Sequence, residues 1–269
     1  MDLLVLPDYQ ALSREAARRV AVSVLFKPGA VLALPTGETP LGMYRCLVQF
    51  VNHGLLDLSQ AVIFNLDELL DIPPDHPCSY ATYMHEHFLK HVKVRAHYIP
   101  NPLADPISQC KKYEELITQY GGIDLAVLGL GLNGHIAFNE PGTPFETLTH
   151  IAELSQATRK VLAGYFKMEE VPKRAITMGI CTIMNARQVV LLVAGRKKAE
   201  IVRNVLFGPI TPELPASVLR LHPNFLVLLD EEAASALPKT SSIRRQNVEV
   251  SRGLASSVGP YGCGARESL

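Results

Sequence analysis

The sequence predicts an α/β fold in which a parallel sheet carries helices on both faces. Three observations lead there. Short apolar runs ending in Gly, Pro, Asn or Asp alternate with longer amphipathic stretches, which is the pattern of strands buried on both sides and the helices that cover them. The 269 residues are 48% hydrophobic and 19% charged, enough apolar material for one large domain or two small ones. The unusual polar residues follow the apolar runs, where the loops of an open sheet converge beyond the carboxyl ends of its strands.

The elements follow in order. The run at 3–6 is brief, has an acidic residue before it and stops at Pro7, so it is read as a first strand and not as a signal peptide. Helix 9–26 leads to strand 30–34, which runs into Thr36-Gly37-Glu38-Thr39. Pro40 then stands at the first helical position of a helix over 40–51, with Thr39 as its N-cap. Strand 61–66 ends in Asp67-Glu68 and is followed by helices at 79–91 and 107–120. Strand 123–128 enters the glycine-rich stretch Gly129, Gly131, Gly134. Helix 155–166, strands 175–178 and 189–193, helices 197–206 and 215–221 and strand 225–229 complete a domain over residues 1–237. Residues 238–269 turn to Ser, Gly and Arg, the composition of a flexible tail without a core.

The composition excludes several classes of function. A formal net charge of +0 favours neither nucleic acid nor an anionic membrane as partner. No run approaches the roughly 20 apolar residues that span a bilayer, so a cytoplasmic location is expected. Five scattered cysteines without a C-x-x-C pair indicate neither a disulfide framework nor a zinc site. His85 and His87, two apart on a helix, point away from each other and are read as a solvated face, so no metal is expected.

Three loops carry chemistry. Residues 36–39 form a glycine-containing turn feeding a helix N-terminus, which is either an ordinary capped turn or a cradle for phosphate. Of Asp67 and Glu68, one carboxyl can face the crevice; it either shuttles a proton with a pKa raised by burial or caps a short turn at Leu69-Leu70. The stretch IDLAVLGLGLNGHIAFNEPG has the G-x-G-x-x-G spacing of a dinucleotide site, but that site needs a helix opening at the last glycine. Pro141 and Gly142 stop any such helix. What remains is His135 with Glu140, an acid able to fix its tautomer and hold its charge. With no Ser or Cys nucleophile in a recognisable elbow, the inventory favours proton transfer over acyl chemistry.

LPTGETP, NLDELL with HPCSYATYM, and GLGLNGHIAFNEPG, in that order, closely resemble the glucosamine-6-phosphate deaminase (isomerase) family from about residue 3 to about residue 237. The resemblance implies a modified Rossmann-like fold with a parallel sheet of about seven strands. It implies conversion of glucosamine 6-phosphate and water to fructose 6-phosphate and ammonia without a cofactor, an amino-sugar phosphate as the small-molecule partner, and a homo-oligomer as an open possibility. Residue by residue, the proton-shuttling aspartate falls on Asp67, the ring-opening histidine on His135 and its supporting glutamate on Glu140. Asn133 takes a third ring-opening position that is often aspartate. The phosphate cradle falls on Thr36, Gly37, Glu38 and Thr39 and a phosphate-binding lysine on Lys198. An arginine that grips the phosphate in many members aligns with Gly164, so either Arg159 or Lys160 substitutes for it or the phosphate sits differently. The alternatives are a galactosamine-6-phosphate deaminase, a 6-phosphogluconolactonase and a sugar-phosphate-sensing module.

Overall fold

A strand that is apolar at nearly every position has to be covered on both faces, and VLAL, VIFN, LAVLG, VVLLV and FLVLLD are such strands. The computed structural model describes residues 1–167, 171–238 and 244–245. Its first half runs β1 (Asp2–Leu6), α1 (Tyr9–Phe26), β2 (Val31–Leu34), α2 (Leu41–Asn52), β3 (Val62–Asn65), β4 (Asp67–Leu69), α3 (Tyr80–His87), β5 (Ala96–Tyr98) and α4 (Pro106–Gln119). The second half runs β6 (Leu125–Gly129), β7 (His150–Glu153), α5 (Gln156–Phe166), β8 (Arg174–Thr177), α6 (Ile180–Met184), β9 (Val189–Val193), α7 (Ala199–Phe207), β10 (Phe225–Asp230) and β11 (Arg244–Arg245).

The main sheet has the order β11, β1, β10, β9, β6, β2, β3, β5, and every neighbouring pair is parallel. Seven of these strands form the expected sheet, and the two-residue β11 extends its edge. Because side chains alternate along a strand, each strand feeds two cores. Leu32, Leu34, Val190 and Leu192 pack with Leu12 and Val20 of α1 and Met43 and Leu47 of α2. Val31, Ala33, Leu191 and Val193 pack on the other face with Tyr113 and Ile117 of α4 and Val202 and Val205 of α7. Fully burying one such side chain is worth about 1.5–3 kcal/mol, so the double cover is what fixes the layers.

Several expectations are corrected. The run at 175–178 is not a strand of the main sheet. Its place in the count is taken by β5, while β8 lies in a second, antiparallel sheet of order β4, β8, β7. A buried apolar run of four residues does not reveal the direction of its partner. Thr39 does not cap α2. The N-cap position is Pro40, without a side-chain cap, because the N–H of Gly42 is satisfied from outside the helix by the Tyr9 hydroxyl at 2.9 Å. Residues Pro215–Leu221 form a 3-10 helix. Residues 79–91 divide into α3 and a 3-10 turn at Leu89–His91. Among the described residues, no helix is long and apolar enough to cross a membrane. Apart from Pro238 and β11, the expected tail at 238–269 lies outside the described residues.

Candidate active site

The three loops singled out in the sequence leave the carboxyl ends of β6, β2 and β3, which are neighbours in the sheet. After β3 the chain turns out of the main sheet into β4, where Asp67 and Glu68 point in opposite directions, as successive strand residues must. Glu68, fully buried, accepts hydrogen bonds from the N–H groups of Leu69 at 2.8 Å, Tyr80 at 2.9 Å and Ala81 at 2.9 Å. The last two open α3, so the carboxylate sits at the positive end of a helix. Burial raises its pKa to about 7 against the pull of those three donors. The expected turn cap at Leu69-Leu70 is therefore replaced by a cap on a helix twelve residues away.

Asp67 is 6% exposed, and its carboxyl makes no hydrogen bond among the described residues. Burial, reinforced by the neighbouring Glu68 charge, raises its pKa from 3.8 to about 8. The second sheet carries this acid to the glycine-rich loop. Asp67 lies opposite Thr177 of β8, whose hydroxyl accepts from the N–H of Phe138 at 3.0 Å. Met178 N–H donates to Leu66 at 2.7 Å, and the Asn139 side chain donates to the Met178 carbonyl at 2.9 Å.

No helix lies between β6 and β7, so the glycines there do not open one. The packing gives one of them another purpose: a Cβ on Gly131 would stand 2.4 Å from the His135 ring, so only glycine leaves room for the imidazole. His135 Nδ1 is buried without a hydrogen-bond partner and faces Glu140 Oε2 at 3.8 Å, within ion-pair range and beyond hydrogen-bond length. Glu140 is held from three sides. Asn133 Nδ2 donates to it at 2.7 Å, Ser155 N–H lies at 3.4 Å, and the Thr158 hydroxyl makes a short hydrogen bond to it. Burial would raise the Glu140 pKa, but the nearby His135 ring, acting through charge at this distance, and the hydrogen bonds from Thr158 and Asn133 outweigh it and bring the value down to about 2. Asn133 also accepts from the His135 N–H at 3.2 Å. An aspartate at 133 would set a second carboxylate against Glu140, whereas the amide donates to it. Ser155 and Thr158, at the start of α5, look like simple capping residues in the sequence.

In the loop at 36–39 the four consecutive N–H groups donate to nothing among the described residues. Gly37 takes φ of 101°, a left-handed backbone that glycine adopts at little cost. Such a run of free donors ahead of α2 is the arrangement that binds anions. Lys198 Nζ hydrogen-bonds the Leu130 carbonyl. Burial lowers its pKa to about 8, partly offset by the charge of Glu38 of the 36–39 loop. Glu38 likewise acts on Tyr165 of α5, whose pKa is raised first by burial. Arg159 has its Nε buried and unpartnered, and among the described residues no hydrogen bond or ion pair joins it to residues 36–39. A Cβ on Gly164 would meet nothing within 4 Å.

Fold and site together define an open-sheet α/β protein with a loop of free backbone N–H donors at 36–39, a buried acid of raised pKa and a histidine facing a carboxylate on adjoining loops. The chain belongs to the family described as glucosamine-6-phosphate isomerases/6-phosphogluconolactonase, whose model matches residues 8–227. It is 43% identical over 242 residues to a glucosamine-6-phosphate deaminase of Thermoanaerobacter pseudethanolicus, covering 88% of this chain and 96% of that one. It is equally similar, at 43% over 242 residues, to glucosamine-6-phosphate deaminase 1 of Bacillus subtilis, covering 88% and 100%. Among solved structures it matches a monomeric glucosamine-6-phosphate deaminase with a TM-score of 0.84 and 42% identity, covering 88% of this chain and all of the other. The 6-phosphogluconolactonase of Trypanosoma brucei matches with a TM-score of 0.71 at 21% identity, covering 88% and 99%, which is a likeness of fold.

Proposed function

We propose that residues 1–237 form an enzyme that converts glucosamine 6-phosphate and water to fructose 6-phosphate and ammonia. The observation that carries this reading is the contrast between two carboxyls on adjoining loops. Asp67 is pushed up to about 8 and Glu140 is held down to about 2, and pairs driven apart in this way mark acid and base roles. The names of the relatives at 43% identity support the substrate.

The phosphate lies on the N–H groups of residues 36–39, with Lys198 adding positive charge. His135, its charge supported by Glu140 and Asn133, moves the proton between the ring oxygen and the C1 hydroxyl and opens the sugar to the aldehyde. Asp67, as carboxylate, takes the C2 proton while the C1 oxygen gains one, which gives the enolamine. The protonated Asp67 then delivers its proton to C1. This leaves an iminium at C2, which water attacks; ammonia departs and the C2 ketone of fructose 6-phosphate remains. Glu68, saturated by backbone donors, takes no part in these transfers.

The test compares ammonia release from glucosamine 6-phosphate and galactosamine 6-phosphate, with lactone hydrolysis alongside. Ammonia is expected from the glucosamine compound at a kcat/KM at least tenfold above that for its epimer, with no lactone turnover. Preference for the epimer, or lactone turnover alone, contradicts the proposal.

A further inference from the structure

The anion cradle has a feature that no motif announces. The carbonyl oxygens of its peptide units are taken by tyrosines from three different helices. Tyr44 of α2 donates to the Pro35 carbonyl at 2.6 Å, and Tyr83 of α3 donates to the Gly37 carbonyl at 2.6 Å. The hydroxyl of Tyr9, on α1, stands 3.1 Å from the Glu38 carbonyl and 3.0 Å from that of Thr39, and it accepts from Gly42 N–H at 2.9 Å. In a trans peptide the C=O and the next residue's N–H point in opposite directions. A tyrosine anchored on the carbonyl of Pro35, Gly37 or Glu38 therefore turns the N–H of Thr36, Glu38 or Thr39 away from itself. These are three of the four N–H groups that donate to nothing among the described residues.

We propose that Tyr9, Tyr44 and Tyr83 are positioning residues that form a collar behind the cradle, holding its peptide planes so that the donors stay presented to the ligand's phosphate. The inference rests on the phosphate-binding reading above. The collar acts through the loop and touches no reacting atom, so it tunes binding and leaves the chemical step alone. Its geometry also prepares the loop in advance. Without the hydroxyls the Glu38 carbonyl keeps only the Leu41 N–H at 3.3 Å, the planes are held less firmly, and binding has to order them.

The test uses the full chain and the variants Tyr83→Phe, Tyr9→Phe and their double, with the KM and kcat for glucosamine 6-phosphate and the inhibition constant of inorganic phosphate measured for each. One hydrogen bond of this kind corresponds to roughly a threefold to tenfold effect. Each single variant is expected to raise KM and the phosphate inhibition constant together by that factor with kcat within twofold of wild type, and the double variant by more than either. Unchanged constants in well-folded variants overturn the collar while leaving the proposed function intact, and so does a fall in kcat with the phosphate constant unmoved. A wild-type chain that neither turns over the sugar phosphate nor binds inorganic phosphate overturns the reading beneath it.

Discussion

Replacing Asp67 with Asn removes activity and stabilises the fold. A positioned general base contributes about 10²- to 10⁴-fold, so ammonia release from glucosamine 6-phosphate is expected to fall by at least a hundredfold. The gain in stability follows from the same burial. The folded-state pKa of about 8 lies above the ordinary 3.8, so the unfolded chain ionises first as pH rises. The stability associated with the neutral carboxyl is complete below about 4 and is lost progressively as the pH climbs through 8. At about 1.4 kcal/mol per unit of pKa difference, Asp67→Asn raises stability at pH 9 by several kcal/mol and near pH 4 by little. Denaturant unfolding at the two pH values measures this, and an equal change at both would show that the burial of Asp67 is not under strain. In the wild type, kcat/KM is expected to rise with pH along a limb well above the ordinary carboxylate range, because only ionised Asp67 accepts the C2 proton.

Glu68→Ala has the opposite profile. It leaves the N–H groups of Leu69, Tyr80 and Ala81 without their acceptor and strips the cap from α3. A buried donor left unsatisfied costs about 1–3 kcal/mol, so a loss of about 3–5 kcal/mol is expected, read as a drop of about 10 °C in Tm for a domain of this size. Glu68→Gln keeps one acceptor oxygen and is expected to lose less. It also removes the charge that helps raise the Asp67 pKa, which moves the rising limb of kcat/KM to lower pH. A Glu68→Ala protein as stable as wild type would mean that water replaces the carboxylate and that the cap is dispensable.

The sequence made six strands of the main sheet legible, because a run that is apolar at nearly every position needs cover on both faces, but it did not reveal β5, whose Ala-His-Tyr is half-buried and carries no such pattern. The second sheet was not legible. β4 is Asp-Glu-Leu and reads as a loop, β7 begins with His150, and the apolar run in β8 resembles any strand of the main sheet. Yet this small sheet is what brings Asp67 beside the His135 loop. Asp67, Asn133 and His135 stand out in the sequence because each follows a strand end by no more than six residues, and Glu140 because it shares the glycine-rich stretch with His135. The role of Glu68 depends on Tyr80 and Ala81, reached only once α3 folds back. The tyrosines come from positions 9, 44 and 83, and no local spacing relates them. Arg159 is expected in the sequence for want of a cation at Gly164, but its Nε is buried and unpartnered, and among the described residues no hydrogen bond or ion pair joins it to the 36–39 loop.

In the proposed reaction the buried carboxyl at 67 carries hydrogen from C2 to C1 beside the loop that holds His135. Turnover of glucosamine 6-phosphate in D2O, followed by NMR of the fructose 6-phosphate, tests it most directly. The prediction is one ammonia per fructose 6-phosphate, with any deuterium at C1 confined to one of its two hydrogen positions, since a single fixed acid delivers it to one face. Deuterium spread over both positions, or ammonia released without formation of the ketose, would contradict it.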